Sequence, residues 1–301
     1  MNFRALKKYL SSFQKVYGIP GCDCAVYRDH INVFRYKDGY NDNEMTKTSY
    51  KDLYFMHSAA KLINCTAIMQ MVEKGYLKLT DKVKDYVPEF AYEAEVWDMI
   101  GEYSRTQDIE RHTFNHNNLD KLAKKVSGMG LDGYVMENIF KPLRMKNSYF
   151  SINDVNRKRI STQYVINKTG ETVESARQLD ELFHKNEGCI ITTVGDYALF
   201  AETLCSGGMS RNGHRLISED TVNNLINNIV FNETTNDDVF ICTGYNGGLV
   251  IIDMKKRITV VYAQHVKNCG AEQMEIYPKI REIVYKCLGV NMWSNGFNVF
   301  P

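Results

Sequence analysis

Ser58-Ala59-Ala60-Lys61 is the stretch whose residue types and spacing best fit chemistry. A Ser and a Lys three positions apart on a helix share a face, one turn apart. A serine hydroxyl is a poor nucleophile unless a base lies within hydrogen-bond reach. A buried Lys can be that base, because burial lowers its pKa, or it can stay charged and lower that of a neighbour. A helix N-terminus beside the Ser would add partial positive charge and free N–H groups near an attacked carbonyl. Taken alone the pattern is short and common, and a solvated helix start is the competing reading.

Other constellations carry less. His112 and His116 are spaced His-x-x-x-His, which could set two imidazoles on one helix face for zinc, but no third ligand accompanies them. Neither a metal nor a cofactor is expected. Cys22 and Cys24 point to the same side of a strand and read as buried apolar thiols. Ser206-Gly207-Gly208 and Gly247-Gly248 lack the Gly-Lys-Ser/Thr context of a phosphate loop and read as turn glycines. The absence of Gly-x-Ser-x-Gly argues against an α/β-hydrolase elbow.

The elements that must position the Ser–Lys pair follow from periodicity. Phe3, Leu6, Leu10, Phe13 and Val16 predict one helix over residues 3–17, stopped by Gly18 and Pro20. Cys22–Tyr27 and Ile31–Tyr36 read as a hairpin joined by Arg28-Asp29-His30. A helix over 58–74 has Leu62, Cys65, Met69 and Val72 as its buried stripe and Gly75 as its stop. Further helices fit Leu119–Val126, Gly133–Phe140 and residues 194–205. Gly248–Ile252 and Ile258–Tyr262 form a second hairpin, and Tyr277, Ile280, Val284 and Cys287 mark a last helix with Pro278 in its first turn. Strand signals thus sit at both ends and helices fill the middle. That order predicts one sheet built from both ends of the chain, covered by the terminal helices, with a helical region beside it.

Composition sets the outer bounds. The 301 residues allow about two domains or one large one. With 44% hydrophobic and 24% charged residues the composition is globular, and the mean hydropathy is -0.37. Lys+Arg 37 against Asp+Glu 36 leaves a net charge of +1, without the basic excess of a general nucleic-acid binder. No apolar run approaches the ~20 residues of a membrane span. Residues 1–15 lack an apolar core and a small-residue cleavage site, so no secretory signal is read. The eight scattered cysteines are then expected to be reduced thiols in the cytoplasm.

Taken in order, several segments resemble one family. Ile19-Pro20-Gly21 precedes the first hairpin, and Ser58-x-x-Lys61 is followed by IMQMVEKGYLKLTDKVKDYVPEF. Later come VSGMGLDGYVMENIFKPLRMKNSYF, EGCIITTVGDYALFAETLCSGGMSRNGHRLISEDTV and CTGYNGGLVIIDMKKRITVVYAQ. From about Ile19 to about Gln264 the chain resembles the serine β-lactamase-related family: class C β-lactamases, D-Ala-D-Ala carboxypeptidases and the esterases of that fold. The resemblance implies a single β-lactamase-like α/β (α+β) domain. Its α/β subdomain would span about 1–50 and 215–301, its helical subdomain about 51–214, with the active site between them.

The resemblance also assigns roles. Ser58 matches the acylated nucleophile and Lys61 its proton-handling partner. The family's second motif, Tyr-x-Asn, falls on Phe114-Asn115-His116, upstream of Ser127-Gly128. There the phenol has become Phe114, which transfers no proton, and His116 is the imidazole that could act as general base. The plainer reading has His116 cap the helix that starts near Asn118, its ring in solvent. Tyr103-Ser104-Arg105 is the other place for the missing phenol, although the spacing is unusual. The third motif, Lys-Thr-Gly or His-x-Gly, falls on Cys242-Thr243-Gly244, which would line the substrate cleft. The N–H groups of Ser58 and Tyr245 would form the oxyanion hole. Cys242 stands where the family has a cation, so a neutral ester or amide is the expected small-molecule substrate. The alternative is a weakly active or inactive relative that keeps the pocket and binds a ligand.

Overall fold

The computed structural model describes residues 1–105, 114–175, 190–229, 239–244, 247–267 and 270–292, without the side chains of Asn228, Ile229 and Gln273. Its centre is a five-stranded antiparallel sheet. The spatial order is Ile31–Gly39, Gly21–Arg28, Ile258–Gln264, Gly248–Asp253, Val239–Gly244. Strands from the two ends of the sequence meet in the middle, with Cys22 opposite Gln264 and Arg28 opposite Ile258.

Two-residue alternation sorts the sheet into two faces. Cys24, Val26, Leu249, Ile251, Val260 and Tyr262 pack under the terminal helices, against Leu6, Leu10, Phe13, Ile280 and Val284. Ala25, Val250, Ile252, Val261 and Ala263 face the opposite way and pack with Val194, Tyr197, Ala198 and Phe200. The second face is continuous with the core of the helical region. The sheet of N- and C-terminal strands covered by terminal helices is therefore as expected. The strand Val239–Gly244 adds an edge that apolar alternation alone had not marked.

The elements differ in detail. The helix expected over 3–17 is two, Arg4–Leu10 and Phe13–Tyr17, because Ser11 and Ser12 interrupt it and the Ser12 hydroxyl donates back to Tyr9 O at 2.6 Å. The helix Ala60–Glu73 has no single buried stripe: every residue from Ala60 to Met71 is buried. It is ringed by other helices, so its polar residues must find partners inside. Gln70 does so by donating to Leu216 O at 2.9 Å. Val96–Arg105 is a further helix, with Met99, Ile100 and Tyr103 turned inward. The first hairpin turns at Asp29 and His30, both with positive φ, a shape that matches the twist of its strands. The described cysteines Cys22, Cys24, Cys65, Cys205, Cys242 and Cys287 are free thiols. No described helix is long and apolar enough to cross a membrane.

Candidate active site

Ser58 lies in a short 3-10 turn, His57–Ala59, that leads directly into the helix Ala60–Glu73. The turn is held from three sides. Its preceding residue, Met56, donates its N–H to Ile190 O at 3.1 Å. Tyr197, fully buried on the helix Val194–Cys205, donates its hydroxyl to Ala59 O at 2.8 Å. His57 takes φ +43°, a left-handed backbone that a side chain disfavours by roughly 1–2 kcal/mol. Its ring stacks on Phe55 at 5.8 Å between centroids, and its Nε2 is buried without a hydrogen-bond partner. Burial first, then the charge of Lys267, lowers the His57 pKa from 6.5 to about 4.

Lys61 follows one turn on and is 6% exposed, which is rare for a lysine. Burial holds its amine below the usual lysine value, while the Cys65 and Cys242 thiols work the other way. Its Nζ lies 5.9 Å from the centre of the Tyr103 ring. Tyr103 is buried in turn, and its hydroxyl accepts from Asn64 Nδ2 at 2.8 Å. Lys61 and Asn64 are three residues apart on one helix, so the same face presents both to Tyr103.

The edge strand Val239–Gly244 closes the other side. A Cβ on Gly244 would stand 3.0 Å from Met56 O, so the strand reaches the Ser58 turn closely because this position is glycine. Cys242 is half-buried on this strand, and its thiol acts electrostatically on Lys61 and Tyr197. Thr243 is buried between the two. Tyr245 lies outside the described residues, as does His112.

The second-motif residues part company. Phe114 joins an aromatic stack, 5.8 Å from Tyr92 and 5.3 Å from Phe90 between ring centroids. Asn115 is the helix cap, its side chain accepting from Asn118 N at 3.0 Å. That corrects the expectation of a His116 cap with its ring in solvent. His116 is buried, with Nε2 3.1 Å from Asp132 Oδ1. Of the two candidates for the missing base, Tyr103 has its ring near Lys61 Nζ, while His116 is turned to Asp132. Among the described residues no group of three or more His, Cys, Asp or Glu side chains could hold a metal ion.

Sequence reasoning passed over Asn64, Tyr197 and His57. Asn64 carried a signal, a polar side chain at the Lys61 spacing inside an apolar run. Tyr197 carried none, since its role depends on a contact across 138 residues.

Comparison with solved structures finds the same fold repeatedly. EstCE1, a hydrolase with promiscuous acyltransferase activity, superposes with a TM-score of 0.78 at 16% identity, over 94% of this chain and 98% of that one. The octameric penicillin-binding protein homologue from Pyrococcus abyssi gives 0.72 at 18% identity, over 97% and 78%. The D-amino acid amidase of Ochrobactrum anthropi SV3, complexed with L-phenylalanine, gives 0.74 at 14% identity, over 95% and 98%. Comparison with curated protein sequences gives no match. The Beta-lactamase family model matches residues 6–96 and 112–264, and with most of its length covered the chain belongs to the Beta-lactamase family.

Proposed function

We propose that the protein is a serine hydrolase that cleaves an ester or amide through an acyl-enzyme on Ser58. The observation that carries this reading is the buried Lys61 amine, one helical turn from Ser58 and against the Tyr103 ring. Burial holds this amine below its usual pKa, which favours the free form that takes the Ser58 proton as Oγ attacks the carbonyl. The proton then goes to the leaving oxygen or nitrogen, and water repeats the sequence to release the acid. The N–H groups of Ser58 and Tyr245 are assigned to the oxyanion, where each preorganised donor is worth roughly 3–4 kcal/mol. Cys242 leaves the cleft edge without the cation that would pair a carboxylate, which favours neutral substrates. The similarity to a hydrolase with promiscuous acyltransferase activity and to a D-amino acid amidase supports ester or amide cleavage.

A fluorophosphonate probe tests the assignment. It should label the protein at Ser58, and Ser58→Ala should remove the label. Equal labelling of the variant would sink it. One observation favours a second reading: Phe114, in the place of the family phenol, is fixed in an aromatic stack that handles no proton. A ligand-binding relative without turnover would take little or no label as wild type.

A further inference from the structure

Gln264 ends the strand Ile258–Gln264, on the face where Val260 and Tyr262 pack under the terminal helices, and it is buried. A buried amide costs stability unless its polar atoms are bonded, and this one is held on several sides. Its Oε1 accepts from the Tyr262 hydroxyl at 2.5 Å, and its Nε2 donates to Val266 O and Glu272 Oε1, each at 3.4 Å. With the amide tied, the aliphatic part of the side chain lies against Gly247. A Cβ at Gly247 would run into Gln264 Cγ, and Gly247 also takes φ +95°, a backbone that favours glycine. The main chain adds to this contact: Gln264 N donates to Gly247 O at 3.2 Å, and Gly247 N donates to Gly244 O at 3.0 Å. The turn that joins Val239–Gly244 to Gly248–Asp253 is therefore held at both ends, with Gly244 against Met56 O beside the Ser58 turn and Gly247 against Gln264. Val239–Gly244 is the edge strand and pairs with Gly248–Asp253 alone among the described residues. Support for the turn from within the sheet comes from the third strand in, at Gln264.

We propose that Gln264 is a positioning residue for the oxyanion donor assigned to Tyr245: its tied amide pins Gly247 and so keeps the turn in place against the Ser58 turn. The proposal rests on the reading of Ser58 as an acylated nucleophile. Tyr245 follows Gly244 directly in the sequence, so a shift of the turn moves its N–H relative to that of Ser58. Oxyanion donors work by being aimed before charge develops, and a misplacement of about 1 Å costs on the order of 100-fold in rate. The neutral carbonyl of a bound substrate gains less from the same N–H than the tetrahedral oxyanion does. Loss of the brace therefore falls on kcat and on the binding of tetrahedral analogues, and little on KM. If Gln264 only filled space, an apolar side chain of similar length would serve as well.

The test uses the full-length protein with Gln264→Met, which keeps the aliphatic cover and removes the amide, and with Gln264→Ala, which removes both. With p-nitrophenyl butyrate, kcat should fall about 10-fold in Gln264→Met and about 100-fold in Gln264→Ala, with KM within about twofold of wild type. Butylboronic acid forms a tetrahedral adduct on a reactive serine, with a boron-bound oxygen at the oxyanion position. Its Ki should rise in each variant by the factor by which kcat falls. Gly247→Ala should lower kcat by itself, and adding Gln264→Ala to it should cost little more, because both changes break one contact. A fall in kcat with an unchanged boronate Ki overturns the proposal, and so does wild-type kcat in both Gln264 variants. Failure of both to fold, read by circular dichroism, also overturns it, since Gln264 would then serve the sheet. If wild type neither hydrolyses the ester nor takes fluorophosphonate or boronate, the hydrolase reading falls and this proposal with it. Turnover that is indifferent to Gln264 removes this proposal alone.

Discussion

His57 makes the nucleophile turn sensitive to acid in a way that can be worked out in advance. Its Nε2 is buried without a partner, and a pKa of about 4 leaves the ring neutral. The folded ring titrates at about 4 and the unfolded one at 6.5, so between these values the unfolded chain binds more protons. Stability therefore falls as pH drops through this window, and the loss is complete below about 4. At about 1.4 kcal/mol per pH unit, the gap is worth about 3 kcal/mol. His57→Asn removes the titration and keeps a residue that tolerates the left-handed backbone. Urea unfolding of wild type and variant should be followed from pH 7.5 to pH 4, taking the difference at each pH so that other groups cancel. The variant should gain about 3 kcal/mol relative to wild type across the range, and esterase activity should persist to lower pH. A pH-independent difference, or a His57 ring that titrates near 6.5 in the folded protein, would refute the reasoning.

Further expectations can be measured alongside. Turnover of penicillins and cephalosporins should be negligible beside that of short p-nitrophenyl esters, and Cys242→Lys should raise the rate on carboxylate-bearing substrates; efficient wild-type β-lactam hydrolysis would show that another cation serves. Tyr103→Phe should lower kcat about 100-fold, within the range for lost acid–base help. His116→Ala should leave kcat and the acid limb in place while costing about 1 kcal/mol of stability, because its partner Asp132 is half exposed and the pair is screened; loss of activity with unchanged stability would return His116 to the site. Tyr197→Phe removes the bond to Ala59 O and should cost about 1 kcal/mol in thermal unfolding, with kcat falling more than KM rises.

The sheet was legible because short apolar runs bounded by turn residues are a local signal. Gly248–Asp253 and Ile258–Gln264 each put apolar residues on both faces, with turn residues between them. The helix Ala60–Glu73 was legible as a helix but not in its surroundings, since burial on all sides depends on helices from elsewhere in the chain. The Ser58–Lys61 spacing is a property of one helix and could be read directly. Tyr103 was named from the sequence as a place for the missing phenol, but its packing against this helix, where it meets Asn64 39 residues away, depends on a helix whose periodicity did not stand out. The expectations for His116 and Phe114 came from aligned position, and position says nothing about which way a ring turns. His116 turned to Asp132 and Phe114 to Tyr92.

The central pairing of the sheet, Gly21–Arg28 against Ile258–Gln264, also governs when the protein can begin to work. A nascent chain that has emerged only as far as Lys61 holds Ser58 and Lys61, but not the strand that meets the Ser58 turn at Gly244. At about 5–20 residues per second, synthesis of the intervening chain takes on the order of ten seconds or more. Through that interval the Gly21–Arg28 strand presents an unpaired edge, and Ala60–Met71 has no neighbours to cover its apolar surface. Contacts so distant in sequence make closure slow. The cleft therefore forms late and all at once, and a truncated chain ending before Ile258 should accumulate as a chaperone client rather than as a partial enzyme.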